Sequence, residues 1–416
     1  MEQYKRDIAT PTSEQKTYNL ILDFLLYGAP LDEIYIYNNS IKQDLLNYFN
    51  KPSQFINKKS EKEIIYDLNK NLKNYIENLI RQKTGKIGIL LSGGIDSANI
   101  LSHLVSNNQD IFAYTWGGWG IETMDVIYSK FSVKKFGILK QKIISLDHNY
   151  ENQIKLFIEA MKMVKLPLSF SNCIPYLRMV DEIKKDGISY IFNGQNADTL
   201  FMSYPAPVLT FQCLKIFNFL GLDKFFSFLN PIIFMSRFKS LGTSKYIKMT
   251  DDYKTRLNSF WKPINKLPTT FQQKIVIMEE IYTEARTCQN HQKEFLEAHG
   301  LEVLNPYYDL DFIKYTISLP DYWRKKDNYK KYLLYKLAKN NGVPKEVIEK
   351  PKKGLSYGYT NFIENKHHLK IWEEILDNKI LSKYVDVRSA FEHERDNFFL
   401  FNRLMSAHYF IKYVLK

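Results

Sequence analysis

The feature that most limits what this chain can fold into is an alternation. Short apolar runs that end in small or polar residues are separated by segments whose apolar residues recur every three or four positions. The runs are Ile87–Leu91, Asp110–Trp116, Gln141–Leu146 and Ile188–Asn193. The first reads Ile-Gly-Ile-Leu-Leu, with no polar residue at alternate positions, as expected of a parallel strand buried on both faces. Ahead of it, Glu61–Arg81 carries Ile64, Ile65, Leu68, Leu72, Tyr75, Ile76 and Leu79 at helical spacing. Strand and helix in this order predict an α/β fold: a parallel sheet with helices on both faces. From about residue 205 the pattern becomes mostly helical, which predicts a helical C-terminal layer. The expected divisions are a short N-terminal extension of uncertain fold (1–60), an α/β core (61–204), and a helical insertion with a C-terminal part completing the site (205–416).

Composition narrows the partners. Hydrophobic residues at 45% and charged residues at 25% fit a soluble globular chain rather than a disordered one. A net charge of +13 suits an anionic ligand such as a nucleotide, RNA or a membrane surface, but Lys- and Asn-rich codon usage produces the same excess. The three cysteines, Cys173, Cys213 and Cys288, form no CxxC pair and have no histidine cluster beside them. That argues against a disulfide framework and a structural zinc site, and makes a reducing cytoplasm the expected location. The N-terminus has no apolar signal core. The most apolar stretch, 205–235, is broken by Lys215, Asp223 and Lys224, so no membrane span is expected.

The chemistry concentrates where the first strand hands over to a helix, at Ser92-Gly-Gly-Ile-Asp-Ser97. Gly93 and Gly94 let backbone amides approach a phosphate, and the helix N-terminus adds donors and a positive dipole end. Ser92 and Ser97 add hydroxyls. Asp96 would repel phosphate unless Mg²⁺ lies between them. The loop has no Gly-Lys-Ser/Thr, so it is not a Walker A. Such a loop suits gripping pyrophosphate as a leaving group better than delivering a γ-phosphoryl group.

This loop resembles the PP-loop of the ATP pyrophosphatases, which split ATP to AMP and pyrophosphate. Within that superfamily the chain resembles the synthetase domain of asparagine synthetases and their β-lactam synthetase relatives, from about Glu61 to the C-terminus. Asn193-Gly-Gln-Asn-Ala-Asp-Thr-Leu-Phe-Met-Ser-Tyr204 is similar to the family's SGEGADELFGGY. The resemblance places Asn193 and Gly194 beside the nucleotide and makes Asp198 the second Mg²⁺ ligand, with Asp96. Lys165–Ser171 faintly resembles the family's approach to the substrate pocket. Ala298–Asp309 aligns without gaps with AHGLEVRVPFLD, keeping Glu302, Pro306 and Asp309 but placing Leu304 at the arginine; it is expected to position helices over the cleft. Lys331-Tyr-Leu-Leu-Tyr-Lys336 and Val343–Ser356 resemble KYLLRKAL and LPxEIxxRPKxGFS. Lys352 thereby falls on the family's catalytic lysine, where it would steady charge on the adenylate; Lys353 is the bystander.

The chain also departs from its relatives. Glutamine-hydrolysing members begin with a cysteine that heads a glutaminase domain, whereas this chain begins Met1-Glu2 with about 60 residues ahead of the matched region. A separate ammonia-supplying glutaminase, free ammonia or an amine on the substrate is therefore the expected nitrogen source. The first glutamate of the family's GEG is Gln195 and the glutamate after the aspartate is Thr199. In β-lactam synthetases the first of these positions is a tyrosine that serves proton removal. Gln195 cannot act as a base but can orient a nucleophile; Glu284 and Glu294 are the weak alternatives for the base. Residues 205–245 read as a variable insertion, a helical lid or a pocket for an apolar substrate.

The resemblance thus implies a ligase that uses ATP and Mg²⁺ to adenylate a small-molecule or peptide carboxylate and passes the acyl group to an amine. Ser92, Gly93, Gly94 and Ser97 would hold pyrophosphate. Leu90, Tyr114 and Trp116 would flank adenine, with Trp119 and Glu122 toward the acceptor. DNA is not an expected partner. A tRNA-modifying enzyme that adenylates a base is the main competitor, favoured by the basic charge and disfavoured by the lack of a cysteine pair. A non-catalytic ATP-binding scaffold is the second.

Overall fold

The computed structural model describes residues 14–28, 30–31, 39–54, 58–107, 110–118, 123–145, 149–201, 244–282, 295–326, 329–350 and 366–415. The alternation seen in the sequence becomes a five-stranded parallel sheet in the order β3-β2-β1-β4-β5. Its strands are β1 (Lys86–Leu90), β2 (Ile111–Gly118), β3 (Lys140–Ser145), β4 (Ile188–Phe192) and β5 (Glu302–Leu304). Consecutive residues of β1 and β2 point to opposite faces and are buried alike, so both faces of the central strands are covered. β3 is an edge strand, mostly exposed. The fifth strand lies in the stretch expected only to position helices. It is three residues long, too short to register as a run, and it pairs with β4 through Tyr190, Ile191 and Phe192.

The helices of this core are α3 (Glu61–Arg81), α4 (Ile95–Val105), α5 (Met124–Phe136), α6 (Tyr150–Val164), α7 (Phe170–Lys185) and the single turn α8 (Ala197–Leu200). α3 starts where its sequence says it should. Ser60 caps the Glu63 amide while the Glu63 carboxylate receives the Ser60 amide, a reciprocal capping box. Its buried residues are Ile64, Ile65, Leu68, Leu72, Ile76 and Ile80, nearly the predicted stripe.

The first 60 residues supply two helices, α1 (Glu14–Tyr27) and α2 (Asn39–Phe49). α1 is tied to the helix Asp251–Asn265 by the buried carboxylate of Asp23. This receives both guanidinium nitrogens of Arg256 at 2.8 Å, the Tyr253 hydroxyl at 2.8 Å and the Leu31 amide at 2.8 Å. The C-terminal part is mostly helical. Its last helix, Phe398–Tyr413, is buried on nearly every side and packs against α1, α6 and α7. No helix among the described residues is long and apolar enough to cross a membrane.

The sheet order fixes where a ligand can sit. From β1 the chain moves outward to β2 and β3, then returns to the other side of β1 for β4. The order reverses between β1 and β4, and in open α/β sheets ligands bind outside the C-terminal strand ends at such a reversal. The two motif loops follow those two strands.

Candidate active site

The loop after β1 is shaped by Gly93, whose φ is +64°. A Cβ there would lie 2.5 Å from the Asp125 carbonyl oxygen and 2.7 Å from the Ser129 nitrogen, so only glycine lets the loop rest on the first turns of α5. Ser92 donates its amide to Ser97 Oγ at 3.2 Å, and the two hydroxyls lie 3.3 Å apart. Gly94 stands at the N-cap of α4 and supplies no capping side chain. The first-turn amides of α4 therefore keep donor capacity for an anion.

The loop after β4 lies against it. Asn193 donates its amide to the Leu304 carbonyl of β5 at 3.2 Å and accepts the Gln195 amide at 3.0 Å. Gly194 makes the contact between loops: a Cβ there would meet Ser97 N at 2.9 Å and the Asp96 Cβ at 3.0 Å. Asn196 adopts a left-handed backbone with φ +76°, which turns the chain into α8 and presents Asp198.

Asp96 and Asp198 converge on one cation, the ammonium of Lys331. Its Nζ lies 2.7 and 2.6 Å from the two Asp96 oxygens and 2.7 Å from Asp198 Oδ1. Lys331 has a left-handed backbone ahead of the helix Tyr332–Asn340, and its side chain is 6% exposed. Burial pulls this ammonium's pKa down, but the charges of Asp198 and Asp96 outweigh it and hold the pKa above its ordinary value. Lys331 opens a matched motif, yet nothing in its spacing places it between the carboxylates.

A second lysine fastens the glycine loop. Lys350 Nζ contacts Asp125 Oδ1 at 2.6 Å and the Ser92 carbonyl at 3.3 Å, with both side chains largely buried. Burial pushes the Asp125 carboxyl up, and Lys350 opposes that. Behind both loops stands Tyr307. Its hydroxyl donates to the Asp96 carbonyl at 3.2 Å, and its own carbonyl accepts the Asn196 side-chain amide at 3.0 Å. Asn99 and Asn341 extend this network to His103, whose Nε2 lies 3.2 Å from Asn341 Nδ2.

The structure therefore brings together Ser92, Gly93, Gly94, Asp96, Ser97, Asn193, Gly194, Gln195 and Asp198. Leu90 is half-buried at the end of β1. Trp116 is buried on β2, and its indole N–H has no hydrogen-bond partner among the described residues. Tyr114 is engaged elsewhere, its hydroxyl bonded at 2.8 Å to Asp186 in the turn ahead of β4. Lys352, Lys353, Trp119, Glu122, Glu284, Glu294 and residues 205–243 of the insertion lie outside the described residues.

Residues 69–403 match the family model for asparagine synthase. The chain belongs to the asparagine synthase family. Over 177 residues it is 28% identical to the Methanocaldococcus jannaschii protein named "Putative asparagine synthetase (glutamine-hydrolyzing) 1", covering 42% of this chain and 32% of that one. Over 85 residues it is 35% identical to the rat glutamine-hydrolyzing asparagine synthetase, covering 20% of this chain and 15% of the relative. The matches thus span about a third or less of those relatives' lengths. Among the described residues of this synthase-family chain, no three His, Cys, Asp or Glu side chains cluster as a metal site of their own.

Proposed function

We propose that the chain is an ATP-dependent, AMP-forming amide synthetase that activates a carboxylate and passes the acyl group to an amine. One observation carries this reading. Two carboxylates from neighbouring loops meet on a single cation at the C-terminal ends of β1 and β4, beside a glycine loop whose helix amides are free of any side-chain cap.

In this mechanism the substrate carboxylate attacks the α-phosphorus of ATP, forming an acyl–phosphate bond and breaking the bond to pyrophosphate. The amine then attacks the acyl carbon, forms the C–N bond, expels AMP and gives up a proton. Ser92, Ser97 and the amides around Gly93 and Gly94 hold the leaving pyrophosphate. Leu90 and Trp116 flank adenine, and Asn193 and Gly194 border the nucleotide. Gln195 orients the incoming amine. Lys352 lies two residues beyond the anchored Lys350 and steadies the adenylate.

The residues present fit Mg²⁺. The two carboxylates already converge on a cation-sized point, and one or two carboxylates completed by phosphate oxygens are a usual set for that ion. Asp96 and Asp198 would hold it, and when bound it neutralises phosphate charge and orients the phosphates. Lys331 then turns its ammonium to the phosphates. Residues 61–204 form the nucleotide-binding unit, and the helical remainder completes the acceptor side. The amine comes from free ammonia, the substrate itself or a separate glutaminase.

Pyrophosphate exchange into ATP, run with Mg²⁺ against a panel of amino acids, metabolite acids and peptides, tests the reading. One acid should stimulate exchange, Asp198→Ala should lower it a hundredfold or more, and Lys352→Ala should lower it comparably. ATP binding without exchange or AMP release for any acid, tested with and without amines, would refute it.

A further inference from the structure

The helix Phe271–Tyr282 is buried along its length and carries two adjacent glutamates, Glu279 and Glu280, in its last turn. Glu280 is 3% exposed. Its Oε2 accepts the Asn196 side-chain amide at 3.1 Å, the same amide nitrogen that reaches the Tyr307 carbonyl at 3.0 Å. Its Oε1 and the Asn196 Oδ1 are both buried and accept from nothing among the described residues. Two acceptors in one contact pair thus lack a donor, an arrangement folded proteins rarely keep.

Among the described residues no cation relieves the carboxyl. The elements packed against this helix bring Lys42 from α2, Asp198 from α8, Arg256 from the helix Asp251–Asn265 and Lys314 from the helix Leu310–Ser318. Asp198 is bound to Lys331 and Arg256 to Asp23. Lys42 and Lys314 lie over the rings of Tyr282 and Tyr48 at 5.5 and 5.3 Å. Adjacent Glu279 adds repulsion.

The chain differs here from the pattern its relatives suggest, which has glycine where Asn196 stands. Asn196 keeps the left-handed backbone that glycine adopts freely, and adds a carboxamide.

We infer that Glu280 is carried as a neutral carboxylic acid whose hydroxyl donates to Asn196 Oδ1, closing a two-bond acid–amide pair that positions the Asp198 loop. A single proton satisfies both orphan acceptors and removes a buried charge. Burial pushes this carboxyl up to about 8, with the bond from Asn196 opposing the rise and Glu279 adding to it, so the acid form holds at neutral pH. Asn196 is two residues ahead of Asp198. The strap Glu280–Asn196–Tyr307 therefore sets how far Asp198 stands from Asp96, whose carbonyl Tyr307 also holds. Glu280 touches no reacting group; it is a positioning residue, and its benefit to ATP affinity rests on the nucleotide site proposed above.

Infrared difference spectra of the full chain read the protonation directly, whatever the enzyme's substrates. The carbonyl band of a buried carboxylic acid should be present at pH 7, fade through about pH 8 and be missing in Glu280→Gln. Calorimetry with Mg·ATP reads the positioning. Glu280→Gln can make both bonds without a proton and should keep the wild-type Kd, now constant across pH 7–9. Glu280→Leu should weaken Kd roughly tenfold. If Glu280→Leu does not fold, Asn196→Gly carries the test, because it leaves the acid unpartnered: its band should shift to higher frequency and Kd should weaken. A missing band at pH 7, an unshifted band in Asn196→Gly, or Glu280→Gln binding as poorly as Glu280→Leu would overturn the pair. Failure of pyrophosphate exchange alone would strike the proposed reaction and leave the band standing.

Discussion

Of the two loops that supply Asp96 and Asp198, the first is shaped largely by its own residues and pinned by Lys350, and the second by two backbone carbonyls and one carboxyl from distant segments. In residues 92–97 a glycine with φ +64° lays the backbone on α5, and two serines bond each other. In residues 193–198 the Asn193 amide is held by the Leu304 carbonyl and the Asn196 side chain by the Tyr307 carbonyl and the Glu280 carboxyl, all 80 or more positions away. The loops meet through Gly194 and through Lys331. The first loop leans on α5 and on Lys350. The second depends on the helical C-terminal part being folded around it, so each loop fails in its own way.

Removing the cation both loops share gives the largest expected effect. Lys331→Met keeps side-chain bulk and imposes no new backbone demand, yet it removes the ammonium that two converging carboxylates share. Breaking a buried ion pair of this kind costs roughly 3–5 kcal/mol. Denaturant unfolding should show that loss, and millimolar Mg²⁺ should restore more stability to the variant than it adds to the wild type. An unchanged midpoint would mean that the lysine does not bridge the loops.

Next comes a change confined to the first loop. Lys350→Ala strands the Asp125 carboxylate and frees the Ser92 carbonyl, at a cost of roughly 2 kcal/mol for lost charged hydrogen bonds. ATP affinity should fall with stability, and Lys350→Arg should recover most of both, because a guanidinium can reach the same two acceptors. A double-mutant cycle with Asp125→Asn isolates the pair. If the asparagine variant couples to nothing, the ion pair does not hold the loop.

The same contrast explains what the sequence could show. Strands β1 and β2 were legible because burial on both faces leaves continuous apolar runs, and β3 and β4 by the short apolar stretches that alternate with helical segments. α3 was legible through its apolar stripe, while its capping box emerged only in the structure. The glycine loop could be read because six neighbouring residues carry its geometry. β5 escaped because three residues leave no periodicity, and its place in the sheet is decided by pairing with β4. Lys331, Lys350 and Glu280 escaped for another reason. A lysine or glutamate in sequence is solvated by default, and only the folded chain shows Lys331 enclosed by two aspartates or Glu280 left with an asparagine. Asn196 and Tyr307 were visible within the matched stretches, but their hydrogen bonds to each other were not.

The smallest expected effect is that of His103, and pH separates it from the support of the second loop. His103 lies on α4 behind the first loop, and its Nε2 faces the Asn341 side-chain amide at 3.2 Å, a geometry that suits an unprotonated ring nitrogen. Burial, helped by Lys73, lowers its pKa from 6.5 to about 4. Between those values the unfolded chain binds a proton that the folded chain refuses, so stability falls as pH drops through that window, by roughly 1 kcal/mol at pH 5.5. Glu280, behind the second loop, has the opposite sign. Its folded pKa near 8 exceeds the ordinary 4.5, so the folded chain holds the extra proton and stability falls as pH rises between those values. Unfolding midpoints from pH 5 to 9 should therefore lose the histidine's share of the acid limb in His103→Gln, with the alkaline limb intact. Glu280→Gln should do the reverse. If either substitution flattened both limbs, the chain of hydrogen bonds through Tyr307 that links His103 to Glu280 would be coupling the two loops.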